Sequence, residues 1–146
     1  MNDTFFFSAP QLKRDPLGGI YEVIGASMRV RIDYSDQNEA FAPLLPVAGE
    51  LERLIPSPDK RKWWIVKLDK PLEYQRKIGE PFRYQLVRAE FLVVGSRWQG
   101  YEIGESEPTS VHILVPLGAP SAPAAELDPS QYDHVAWGMC TVEDDA

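Results

Sequence analysis

Two histidines, one cysteine and several crowded carboxylates are the side chains of this 146-residue chain that could do chemistry. Cys140 with His112 or His134 would make a thiolate and its base. That pairing needs hydrogen-bond reach and a third group to orient the imidazole. Over Val135–Val142, Cys140 alternates onto one face with Ala136, Gly138 and Val142, where a free thiol acts as a small hydrophobe. His112 is one residue out of phase with Val111, Ile113 and Val115, as suits an outward-facing or hydrogen-bonded imidazole. Two histidines and one cysteine at this scatter do not give zinc spacing. Asp33, Asp36 and Glu39 hint at a calcium loop, but Gln37 and Asn38 break the required pattern, so these acids read as turn and cap residues. The expectation is no catalytic residue, no metal ligand and no cofactor.

Glu102, Glu105 and Glu107 crowd a stretch that also holds Gly104 and Pro108 and follows Trp98 and Tyr101. Carboxylates roughly 5–9 Å apart can hydrolyse glycosides, and a cluster of them can hold a hard cation. Aromatic rings beside carboxylates also suit a cationic protein surface, and that is the preferred reading of Trp98, Tyr101, Glu102, Glu105 and Glu107. The competing constellation is Lys60, Arg61, Lys62, Trp63 and Trp64, with Arg76 and Lys77 further on. There cations would hold phosphate while an indole stacks a base. A net charge of -7 and a pI near 4.8 oppose approach to a polyanion. No phosphate-cradling glycine motif and no G-x-S-x-G elbow is present.

Charge is segregated along the chain. All 15 Lys and Arg lie between Lys13 and Arg97; nine acids and no base follow. The first 97 residues, with 13 acids against 15 bases, therefore carry +2 and the remainder -9. Such asymmetry aids solubility or steers a cationic partner. One cysteine excludes an internal disulfide framework and favours a reducing compartment. Phe5-Phe6-Phe7 is too short for a signal-peptide core, which takes roughly 7–15 residues, and far too short for a membrane span. A cytoplasmic protein without membrane contact is expected.

The elements that must position these residues are strands. Ser27–Tyr34 alternates strictly, with Met28, Val30, Ile32 and Tyr34 on one face. Ile20–Ile24 and Met28–Tyr34 flank Gly25-Ala26-Ser27 and read as a hairpin. Residues 1–19 read as an arm in which Phe5–Phe7 adds an edge strand. Ser35 would cap a short helix through Phe41, since Pro43 and Pro46 forbid a long one. Glu50–Ile55 fits a strand better than a helical turn. Trp63–Leu68 is rich in aromatic and β-branched residues, and Asp69-Lys70-Pro71 should end it. Tyr84–Val94 changes phase, which calls for a bulge near Arg88–Ala89 or burial on both faces toward its end. Val111–Val115 and Val135–Val142 complete the set. Residues 116–130, rich in Pro and Ala, should wrap the surface, with Asp128-Pro129 capping one helical turn. Residues 143–146 should fray.

One mainly β domain over 1–146 follows, an antiparallel barrel or a two-sheet sandwich with little helix. Barrel is preferred because closure removes edges that this sequence hardly protects. The expected function is non-catalytic: an interaction protein, such as an inhibitor or immunity-type protein, that binds a basic protein surface through its acidic C-terminal third. The alternatives are a nucleic-acid-binding barrel using Lys60–Trp64, and a small hydrolase with carboxylate chemistry.

Overall fold

Alternation over Met28–Tyr34 does what strand geometry requires. Val30 and Ile32 are buried, while Arg29, Arg31 and Asp33 take the wetter side. The computed structural model describes residues 10–14, 20–24, 28–35, 41–59, 61–79, 81, 83–97, 103 and 108–143. Its strands are β1 (Pro10–Arg14), β2 (Ile20–Ile24), β3 (Met28–Ser35), β4 (Val47–Ile55), β5 (Trp63–Ile78), β6 (Arg83–Ser96), β7 (Thr109–Pro116) and β8 (Tyr132–Glu143). Strands β3 to β8 pair antiparallel in chain order and close into a six-stranded barrel, with β8 returning to β3. No helix among the described residues is long and apolar enough to cross a membrane.

Several expectations need correction. The hairpin between Ile20–Ile24 and Met28–Tyr34 does not form; β2 pairs with β1 instead. The reason is closure: β4 and β8 occupy both edges of β3, leaving none for β2. Within the segment 1–19 read as an arm, Pro10 opens β1, a strand position that proline tolerates. Phe5–Phe7 and residues 36–40 lie outside the described residues, and with them the short helix expected from Ser35 to Phe41; beyond it a 3-10 turn spans Ala42–Leu44. Glu143 is no frayed end: it pairs with Arg29 in the ladder, and its carboxylate accepts from Arg31 at 2.8 Å.

Pro71 does not end β5 either. It falls where pairing with β6 is interrupted, between Lys67↔Phe91 and Leu72↔Ala89, so a missing N–H costs no ladder bond there. The extra residues sit in β5, opposite Glu90, rather than at Arg88–Ala89. Across this break β6 changes phase: Val87 and Ala89, then Leu92 and Val94, point into the barrel. Phe91 and Val93 point outward into a second cluster with Ile55, Trp63, Ile65, Leu114 and Leu127. The end of β6 is thus buried on both faces.

That second cluster explains the Pro/Ala-rich segment. Its Leu127 is buried against the outer barrel wall and donates its N–H to Pro56 O at 2.7 Å, while Leu117 N–H reaches Gln131 O at 2.9 Å. Asp128 caps the 3-10 turn Pro129–Gln131 by accepting from Ser130 N–H. At one barrel end, Leu72–Ile78 and Arg83–Ala89 pair as a two-stranded ribbon, beyond the reach of β4 and β7. A lone ribbon is marginal in water. This one is pinned by the buried Leu72, Tyr74, Val87 and Ala89, with the Tyr74 ring edge-on to Phe41 at 6.0 Å. Tyr74 also donates its hydroxyl to Asp133 Oδ2 at 2.5 Å, and Arg76 Nε lies 3.2 Å from Oδ1. Burial, then the Asp133 carboxylate, pushes the Tyr74 phenol well above its ordinary range.

Candidate functional site

The end opposite the ribbon gathers the turn between β4 and β5, the connection between β6 and β7, and the C-terminal end of β8. The described residues that flank both sets singled out in the sequence therefore belong to one end of the barrel. Trp98, Tyr101, Glu102, Glu105 and Glu107 lie outside the described residues, but the points where their segment leaves and returns are defined. Arg97 N–H donates to Ser110 O at 2.8 Å, and within the segment Ile103 is buried in the barrel core. Thr109 is opposite Cys140 in the ladder, and β8 ends three residues further on at Glu143.

Three of the nine late acids have internal work. Asp128 caps its turn, Asp133 holds Tyr74 and Arg76, and Glu143 meets Arg31. The acidic third is therefore not one uniform face. The other six are Glu102, Glu105, Glu107, Glu126, Asp144 and Asp145, of which the first three crowd one short stretch of sequence.

The basic segment is split by strand alternation. Trp64 points into the barrel and Trp63 into the outer cluster, and both are buried. Neither ring presents a face to a base, so the stacking platform expected of Lys60–Trp64 is not open in this structure. Lys60 lies outside the described residues, while Arg61 and Lys62 reach the surface.

Trp63 belongs instead to a row that sequence reasoning missed. The ladder puts Trp63 of β5, Gly95 of β6, His112 of β7 and Trp137 of β8 on one rung. Gly95 makes the row possible, because a Cβ there would come within 2.7 Å of the Trp63 ring. With that space free, the Trp63 and His112 rings meet at 5.9 Å, and His112 and Trp137 at 3.5 Å. A register shift between Ile113 and Leu114 gives β8 an extra residue at Val135, which brings His134 to the same side as Trp137. His112 Nδ1 and His134 Nε2 are 2.6 Å apart and share a hydrogen bond.

Cations flank the row. The Arg61 guanidinium lies 4.6 Å over Trp63 and donates to Ser96 O at 2.5 Å; the Arg97 guanidinium lies 4.3 Å over Trp137. Asp59 accepts from Trp63 Nε1 at 3.2 Å. Burial works against its ionisation, but bonds from Ser57, Trp63 and the Arg61 N–H hold its carboxyl below the ordinary range. His112 is pushed down to about 4, first by burial and then by the charges of Arg61, His134 and Arg97. At neutral pH it is uncharged.

No family model, curated protein or solved structure matches this chain. Function rests on its own geometry. Cys140 is buried inside the barrel while both histidines are on the outer wall, so the structure does not bring thiol and imidazole together. Among the described residues, no group of three or more His, Cys, Asp or Glu is placed to hold a metal ion.

Proposed function

We propose that this chain is a non-catalytic interaction protein that engages a basic protein surface from the barrel end where the Arg97–Pro108 connection and the C-terminus leave. An inhibitor that neutralises a cationic partner is one concrete form. The observation carrying this reading is topological: the described residues that flank the two acidic stretches, Arg97 and Thr109 on one side and Glu143 on the other, belong to the same end of the barrel. The barrel interior is filled with side chains such as Trp64, Leu92 and Ile113, which leaves the outer surface to meet a partner. Trp98 and Tyr101 would anchor the contact, with Glu102, Glu105 and Glu107 as its charged rim. Replacing those three glutamates with glutamine should slow capture of a basic partner by the immobilised protein, with the melting temperature unchanged. Capture at an unchanged rate over a range of salt would remove the proposal.

The second reading is nucleic acid. It is supported by Arg61, Lys62 and Arg97 reaching the surface at this end beside two histidines. Nuclease treatment separates the two readings: a captured complex that vanishes with nuclease, and survives the triple glutamine change, favours the second.

A further inference from the structure

A pocket of about 220 Å³ lies between Phe91 of β6 and the Pro/Ala-rich segment, with Leu117, Pro120, Ala122, Ala124 and Tyr132 among its walls. Phe91 is buried in the outer cluster, so one wall of the pocket is the barrel itself. The opposite wall is held before any ligand arrives. Leu117 N–H and Leu127 N–H tie the segment down near both ends, to Gln131 O and Pro56 O. Pro116, Pro120, Pro123 and Pro129 reduce the freedom of the backbone along it. A preformed space of this kind costs a ligand little ordering of the protein.

Charge then selects the occupant. Glu126 and Asp128 line the pocket, and no Lys, Arg or His does. Asp128 Oδ1 accepts from Ser130 N–H at 3.1 Å and from its hydroxyl at 2.7 Å, which orients the carboxylate. Among the described residues neither acid is in an ion pair. We propose that this pocket binds a free small organic cation, a ring-sized apolar body carrying one ammonium or amidinium group.

Size and chemistry agree. An apolar cavity of roughly 150 Å³ takes a benzene ring, so this pocket has room for a ring and a short arm. The ring gains by burial against Phe91, Leu117 and Pro120. Glu126 and Asp128 are exposed, so a cation beside them keeps part of its hydration and escapes most of the cost of burying charge. The faces of Phe91 and Tyr132 also favour a cation over an anion. Burial pushes the Tyr132 phenol up, so at neutral pH it is uncharged and does not oppose either acid's attraction for a cation. A carboxylate ligand would meet like charge, and a neutral ring would gain burial alone. The site uses no residue of the Arg97–Pro108 connection and stands apart from the reading above.

The test titrates the full chain at neutral pH and constant ionic strength with benzylamine, benzyl alcohol and benzoate, following backbone amides by NMR. Benzylamine should move the signals of residues 117–132 saturably, with a Kd of about 1 mM. Benzyl alcohol should bind about tenfold more weakly, and benzoate more weakly still. Glu126→Gln with Asp128→Asn should bring benzylamine down to the level of benzyl alcohol, and asparagine keeps the cap of the turn. Ala124→Leu should fill the pocket and weaken both ligands at least tenfold. No saturable movement up to about 20 mM benzylamine overturns the site, as does movement confined to residues outside it. Equal affinity for benzylamine and benzyl alcohol, or undiminished benzylamine binding in the folded double variant, overturns the cation. Tighter binding of a Gly-Arg-Gly peptide than of benzylamine overturns the free small molecule in favour of a protein side chain.

Discussion

The inner and outer faces of the β5–β8 wall are built by the same strands, one residue out of phase, and they obey different rules. Inside, Trp64, Leu92, Val94, Ile113 and Cys140 form a continuous apolar core. Outside, Trp63, Gly95, His112 and Trp137 make a row whose order comes from ring contacts, one glycine and two stacked guanidiniums. The inner face needs only hydrophobic side chains of suitable size. The outer face couples half-buried titratable groups to cations, an arrangement concentrated where proteins bind or react. One wall thus carries two differently built faces, each with its own buried cluster.

The largest expected effects test whether both faces are true cores. Leu92 and Phe91 are neighbours in β6 that face opposite sides, and both are buried. Leu92→Ala should cost about 2–5 kcal/mol and Phe91→Ala about 3–5 kcal/mol, read from denaturant midpoints. A loss for Leu92 alone would demote the outer cluster to a surface feature. Gly95→Ala comes next. Its Cβ would press on the Trp63 ring, so the ring must move, at a cost of about 1–3 kcal/mol with a changed tryptophan emission. An unshifted emission and midpoint would mean the row tolerates a side chain at its centre.

Acidification probes the outer row through His112. His112 titrates near 4 in the folded chain against an ordinary value of 6.5. Between these values the unfolded chain takes up a proton that the folded chain refuses, so stability should fall as the pH drops through this window. Above 6.5 the group adds no slope. Partial exposure limits the total loss to about 1–2 kcal/mol, and His112→Asn should flatten the curve between about pH 7 and about pH 5. An identical slope in the variant would place the titration elsewhere. The smallest effect belongs to the ribbon's outer side, where Leu86 is 58% exposed: Leu86→Ser should change stability by no more than about 0.5 kcal/mol. A larger loss would show that this face of the ribbon packs.

Where alternation ran unbroken, the sequence was a good guide to structure. Val30 and Ile32 face the core as their period requires, Cys140 falls on the small buried face, and Asp128 caps its turn. Legibility failed where the ladder breaks period. Pro71 looked like a terminator because its position opposite a register shift is a property of two strands, not one. The hairpin between β2 and β3 looked sound locally, yet barrel closure had already used both edges of β3. The outer row was hidden for the same reason. His134 and Trp137 are three apart, which regular alternation puts on opposite faces, and only the extra residue at Val135 unites them. No local signal marks Gly95 as the residue that lets Trp63 reach His112.

We propose that the barrel acts through the surface at its Arg97–Pro108 end, where Glu102, Glu105 and Glu107 would meet a basic protein. The most direct measurement compares association rates of a captured partner with two variants over a range of salt. One is Glu102→Gln with Glu105→Gln and Glu107→Gln; the other is Arg61→Gln with Arg97→Gln. Charge on a contact rim acts mainly on the association rate and is screened by salt. The account predicts slower association for the glutamate variant at low salt, convergence with the wild type at high salt, and no slowing for the arginine variant. Slowing by the arginine changes alone would contradict it and turn the end of the barrel toward an anionic partner.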